Sequence, residues 1–83
     1  MSSAIEFVVN GQSRRLTTQG VETTMAGVDP EPIRSHQVLV GGVAYPVKQV
    51  FELATGLDRL DFTSATARRH LARLGFTLSR TST

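Results

Sequence analysis

Phe62 to Phe76 reads FTSATARRHLARLGF, and this stretch limits what the chain can fold into more than any other. It carries a start, a period and a stop. A hydroxyl at Thr63 or Ser64 can cap a helix by accepting a backbone N–H of its first turn. Gly75 follows Leu74 at the place where a left-handed residue would end that helix. Ala67, Leu71 and Leu74 recur at i, i+4 and i+7, so they share one face and point at a core. Thr66, Arg69 and Arg73 fall on another face, with the small residues Ala65 and Ala72 beside them. The helical run holds three arginines and no acid. A helix that is small and basic on its free side can approach a polyanion closely.

The chain of 83 residues allows one domain with a modest core. It contains no cysteine, so disulfides and thiolate metal sites are excluded and stability must come from packing or association. No apolar run approaches the roughly 20 residues of a membrane helix. The N-terminus lacks the basic and apolar regions of a signal peptide, and a soluble, cytoplasmic protein is expected. The net charge of +2 is unevenly spread. From Leu60 onward the balance is +3, from Arg68, Arg69, Arg73 and Arg80 against Asp61, whereas the preceding residues sum to −1. Clustering on one element is the footprint of a nucleic-acid face. Arginine used only to solubilise a helix in a high-GC genome gives the same count.

Residues 4 to 17 predict a β-hairpin. Ile5, Phe7 and Val9 alternate with Glu6 and Val8 at strand period, and Asn10-Gly11 is a two-residue turn signal. Gln12 to Thr17 returns, with Arg14 and Arg15 on opposite faces. Thr18 to Ser35 has no sustained period and holds Gly20, Gly27, Pro30 and Pro32, which predicts a loop or linker. The expected organisation is thus a hairpin arm over 1–17, a loop over 18–35 and a compact helix-containing unit over 36–83. Within that unit Gln37 to Val40 is a strand, Gly41-Gly42 a turn and Val43 to Tyr45 a return strand. Pro46 suits the first turn of a helix whose apolar face is Val47, Val50, Phe51 and Ala54 and whose stop is Gly56. A short connection leads to the arginine helix, and Phe76 to Ser79 returns as an edge strand. The fold class is α+β: a hairpin, then strand-turn-strand-helix-helix-strand, in a helix-turn-helix or winged-helix-like arrangement.

The candidate DNA contacts follow from residue chemistry. Arg69 and Arg73 can fork onto guanine edges or clamp a phosphate, and Thr66 can donate to a phosphate. Thr63 and Ser64 can cap the helix, and its exposed N-terminus suits a phosphate. Arg68 lies nearer the core boundary, where its stem can snorkel or its head pair with Asp61. Lys48 and Arg80 are further phosphate contacts, although Lys48 can also pair with Glu52 at i, i+4. Tyr45 either reaches a nucleotide or serves as an amphipathic core residue. His36 and His70 are far apart without metal-ligand spacing, and His70 suits half-buried packing beside the core face. No nucleophile–base–acid set and no phosphate-loop pattern is present, so neither enzyme activity nor a cofactor or metal is expected.

From His36 to Leu78, Gly42, Tyr45, Lys48, Ala54, Gly56, Phe62, Thr63, Leu71, Leu74, Gly75 and Phe76 form an ordered set. This set resembles the N-terminal head domain of McrA-type, HNH-family modification-dependent restriction endonucleases of actinobacteria. The resemblance covers about half of the chain and implies a DNA-recognition module of the restriction-modification kind. The histidine–asparagine constellation of an HNH nuclease is missing here, and the hairpin lies outside the pattern, so a free-standing module is implied.

The functional expectation is a small DNA-binding protein serving transcription regulation. Residues 64–74 would insert into the major groove of double-stranded DNA, and a homodimer would double the contacts. No membrane and no small-molecule substrate are expected as partners. The alternative is a protein–protein interaction module, adaptor or antitoxin-like, whose arginine face meets an acidic partner.

Overall fold

Alternation along the first strand buries Ile5, Phe7 and Val9 and leaves Glu6 and Val8 exposed, giving β1 over Ala4–Val9. The computed structural model describes residues 3–80. β1 pairs antiparallel with β2, Gln12–Thr17, in a register that sets Ile5 against Leu16 and Phe7 against Arg14. Then follow α1 over Thr18–Met25, β3 over His36–Val40, β4 over Val43–Pro46 and α2 over Val47–Thr55. A 3-10 turn at Arg59–Asp61, α3 over Ser64–Arg73 and β5 over Thr77–Arg80 complete the order. The class is α+β with an N-terminal hairpin, and the strand-turn-strand-helix-helix-strand order from residue 36 is present. β3 is the centre of a second sheet, antiparallel to β4 on one side and β5 on the other.

The main departure lies in residues 18–35. Where a loop is expected, the chain turns directly from β2 into α1. The Thr17 hydroxyl caps the new helix, accepting the Gly20 N–H at 2.9 Å. Val21 and Met25 are its only buried residues, so the apolar period completes a single repeat. Gly20 and a run of threonines hide the rest, because neither type favours a helix interior. The stretch after α1 is also no loose linker. The Tyr45 hydroxyl lies 3.0 Å from the carbonyls of both Met25 and Val28 and shares its single proton between them. The Gln49 side chain donates to Asp29 O at 3.0 Å and accepts the Glu31 N–H at 2.9 Å. These bonds satisfy backbone groups that no strand or helix covers.

The hairpin shares the core of the helices and is not a detached arm. Phe7 stacks on Phe51 of α2 with ring centroids 5.5 Å apart and on His70 of α3 at 4.2 Å. Phe62 meets Phe51 edge-on at 4.7 Å. Arg14 crosses from β2 to donate to Thr55 O at 3.0 Å, a cation at the C-terminal end of α2. At the hairpin tip, Asn10 donates to Asp61 Oδ1 at 2.9 Å. That contact ties the first turn of the chain to the connection between α2 and α3.

Local signals bound α3 as expected. Thr63, not Ser64, is the cap, its hydroxyl accepting the Thr66 N–H at 3.2 Å. At the other end Phe76 N–H donates to Leu71 O and Gly75 N–H to Ala72 O, with Gly75 at φ 92°. This crossed pair of bonds is a Schellman stop, and its left-handed position accepts glycine without strain. α2 begins one residue later than its proline suggests. Pro46 is itself the cap residue and offers no side-chain oxygen. The connection between the two helices runs from Gly56 to Thr63 and contains the 3-10 turn, so it is longer than the roughly three or four residues of a minimal helix-turn-helix turn.

Candidate nucleic-acid interface

The exposed side of α3 is set by its buried side. Ala67, His70 and Leu71 face inward, joined by Leu74 at the cap. At 100° per residue this leaves Arg69 with Ala65 and Ala72 near the middle of the outer surface. Arg73 and Thr66 lie toward one flank, and Arg68 and Ser64 toward the other. Arg69 and Arg73 are exposed, and Arg68 and Thr66 are half-buried. The Thr63 hydroxyl also donates to Thr66 Oγ1 at 3.2 Å, which leaves the Thr66 proton to point elsewhere.

Arg68 does not pair with Asp61, because Asp61 is taken by Asn10. Its Nε donates one turn back to Ser64 O at 3.3 Å, and its head lines an open groove of about 380 Å³ between α3 and β5. Arg69, Arg80, Ser79 and His36 line the same groove. His36 and Arg80 face each other across β3 and β5 in register. Partial loss of water, then the charges of Arg68 and Arg80, hold the His36 pKa below its ordinary value. Among the described residues no carboxylate lines this groove.

Lys48 and Ser64 come together in a second cavity of about 430 Å³. Lys48 is half-buried, with its ammonium 5.8 Å from the centre of the Phe62 ring. It does not pair with Glu52, as its spacing suggests it could. Glu52 accepts from Arg59 Nε at 2.8 Å, and Arg59 also donates to Glu31 at 2.6 Å. The hydrogen bond to Arg59 pulls the Glu31 carboxyl below its usual range, and the two carboxylates raise the Arg59 pKa.

Tyr45 leaves the list of surface contacts. It is only 3% exposed, and its hydroxyl is spent on Met25 and Val28. His70 is buried more fully than half-buried packing implies, at 5% exposure, and its Nδ1 has no hydrogen-bond partner. Burial first, then Arg69 and Arg73, push its pKa down, so it packs as a neutral ring between aromatic neighbours.

Of the residues singled out by sequence, Arg68, Arg69 and Arg80 therefore meet at one groove. Thr66 and Arg73 continue that surface on the other flank, and Lys48 and Ser64 sit in the adjoining cavity. Sequence reasoning overlooked His36 as a member of the groove. Only the pairing of β3 with β5 brings it there, and no local spacing signals that pairing.

These features describe a small α+β domain with a basic groove beside its last helix. The chain belongs to the SCO5918-like family, whose match spans residues 6–83. No curated protein and no solved structure matches the chain. Among the described residues, no helix is long and apolar enough to cross a membrane.

Proposed function

We propose that this chain is a small cytoplasmic DNA-binding protein with a regulatory role, and that α3 contacts duplex DNA. One observation carries the reading: Arg68, Arg69, Arg73 and Arg80 gather around α3 and β5, and none of them makes an ion pair among the described residues. A guanidinium without a carboxylate partner keeps its donors for an incoming anion, and phosphate matches its forked geometry. α2 and α3 act as the helix pair, with α3 in the major groove and Arg69 at the centre of its contact. The resemblance of residues 36–78 to endonuclease head domains points to the same class of ligand.

A module this small makes few contacts, so two copies bind together on a site with two-fold symmetry. The hairpin suits the dimer contact by strand addition. β1 and β2 form a two-stranded sheet, and Val8 on β1 is 67% exposed.

Fluorescence polarisation with labelled duplex DNA at about 100 mM salt tests the reading. Wild type binds, and Arg69→Ala with Arg73→Ala weakens binding. Absence of wild-type binding, or a double variant that binds as well as wild type, overturns the reading in favour of an acidic protein partner.

A further inference from the structure

Two cavities lie end to end along the flank of α3 that faces β5. The first is lined by Arg34, Pro46, Val47, Lys48 and Ser64, and the second by His36, Arg68 and Arg80. They are joined twice. Ser35 and His36 are consecutive residues, one in each cavity. Ser64 and Arg68 are one helical turn apart, one in each, and are bonded to each other. Four residues of α-helix advance about 6 Å, which is on the scale of the step between neighbouring phosphates of a nucleic-acid strand.

The charge is continuous as well. In the first cavity the carboxylate of Glu31 is paired with Arg59, which also holds Glu52 outside the cavity lining. Lys48 makes no ion pair among the described residues, and its ammonium lies over the Phe62 ring. Pro46 caps α2 without a side-chain oxygen, so the cap residue itself does not occupy the N–H groups of that first turn. In the second cavity three guanidinium groups gather, Arg80 from β5 and Arg68 and Arg69 from α3, with the imidazole of His36 opposite Arg80 in register. Among the described residues no carboxylate in this groove offsets these like charges.

We infer that the two cavities form one track that seats two phosphates of a single DNA strand, Lys48 and Ser64 holding one and Arg68, Arg80 and His36 the other. This rests on the DNA-binding reading and deepens it. The contact surface shifts from the outer face of α3 alone to its β5 flank, and His36 becomes part of it. Ser64 donates its hydroxyl and Lys48 its ammonium at one end, and the two guanidinium groups fork onto the phosphate at the other.

The test is the salt dependence of polarisation with full-length protein, on a labelled duplex and on a labelled single strand of the same sequence. Lys48→Met keeps an unbranched apolar side chain beside Phe62 while removing the charge, and Arg68→Gln keeps a polar head in the groove. Circular dichroism confirms that each variant is folded. Each variant is expected to lower the slope of log affinity against log salt by about one on the duplex and by slightly less on the single strand. Arg15→Gln on β2, exposed and outside both cavities, is expected to leave the slope unchanged. If wild type binds and Arg68→Gln lowers the slope while Lys48→Met does not, the track is overturned and the DNA-binding reading stands. If the Lys48 dependence exists on the duplex and vanishes on the single strand, the two phosphates come from different strands and the inference is equally overturned. If wild type binds neither DNA, the reading beneath the inference fails first.

Discussion

Arg59 and the arginines of α3 are the same residue type in two different situations. Arg59 lies between Glu31 and Glu52 with both forks filled, and it fastens the 29–35 segment to α2. Arg14 is likewise engaged, with donors on Thr55 O, Ser13 O and Gln12 Oε1. Among the described residues, Arg68, Arg69, Arg73 and Arg80 have no such carboxylates. Arg68 spends a single donor on the backbone of its own helix. A net charge of +2 conceals this division. What marks a surface as ready for a polyanion is the pairing of its cations, because a neutralised guanidinium has already exchanged its water for a partner.

The comparison breaks most decisively under charge reversal. Arg69→Glu with Arg80→Glu changes four units of charge in the groove and is expected to weaken duplex binding by about a hundredfold at moderate salt. The urea midpoint should stay close to that of wild type, since no ion pair among the described residues is lost. A large fall in stability would place these arginines with Arg59 as structural groups.

Tyr45 marks the structural side of the division. Tyr45→Phe removes the hydroxyl donor to the carbonyls of Met25 and Val28, of which Met25 O keeps the Val28 N–H, and is expected to cost about 1–3 kcal/mol by urea denaturation. DNA affinity should not change at a temperature where the variant is folded. Loss of affinity without loss of stability would return the hydroxyl to the interface.

Arg59→Ala sharpens the contrast with a smaller effect. Its side chain is 35% exposed and those of its partners 44% and 34%, so solvent screens both pairs and the cost is at most about 1 kcal/mol. Binding should remain within about twofold of wild type, because this charge is already neutralised. A slope change as large as that of Arg68→Gln would show that Arg59 also meets phosphate.

The smallest effect is a pH dependence of stability. His70 is held neutral in the folded protein below its ordinary value of 6.5, so the unfolded chain takes up its proton first as pH falls. The His70 contribution is therefore complete above about pH 6.5 and is lost as pH falls through the depressed folded value. Urea midpoints between pH 7.5 and 5.5, measured in a His36→Gln background, are expected to fall with pH. A flat profile would show that the buried ring accepts its proton without penalty.

The parts of the molecule that sequence reveals are those decided by neighbours along the chain. Thr63 at the start of α3 and Gly75 at its end work through bonds three to five residues long, so their roles can be read locally. Asn10-Gly11 and Gly41-Gly42 likewise place both hairpins without reference to the rest. α1 escapes because its inward face is two residues, Val21 and Met25. Only the core supplied by the hairpin, β3 and α2 makes that pair enough to hold a helix containing Gly20. Among the candidate contacts, the outer position of Arg69 follows from the period of α3. The inward turn of Tyr45 does not, because a strand residue beside a proline suits either environment.

By itself, then, the sequence determines the kinds of elements, most of their limits and the excess of positive charge after residue 60. Short-range hydrogen bonding and side-chain period are written into consecutive residues. Tertiary structure alone decides which cations are spent and which remain. Arg59 is neutralised by a glutamate 28 positions earlier, Asp61 is drawn away from Arg68 by Asn10, and His36 is set against Arg80 by strand pairing. Each of these results from packing that brings distant residues within bonding reach, and a one-dimensional pattern carries no record of that distance.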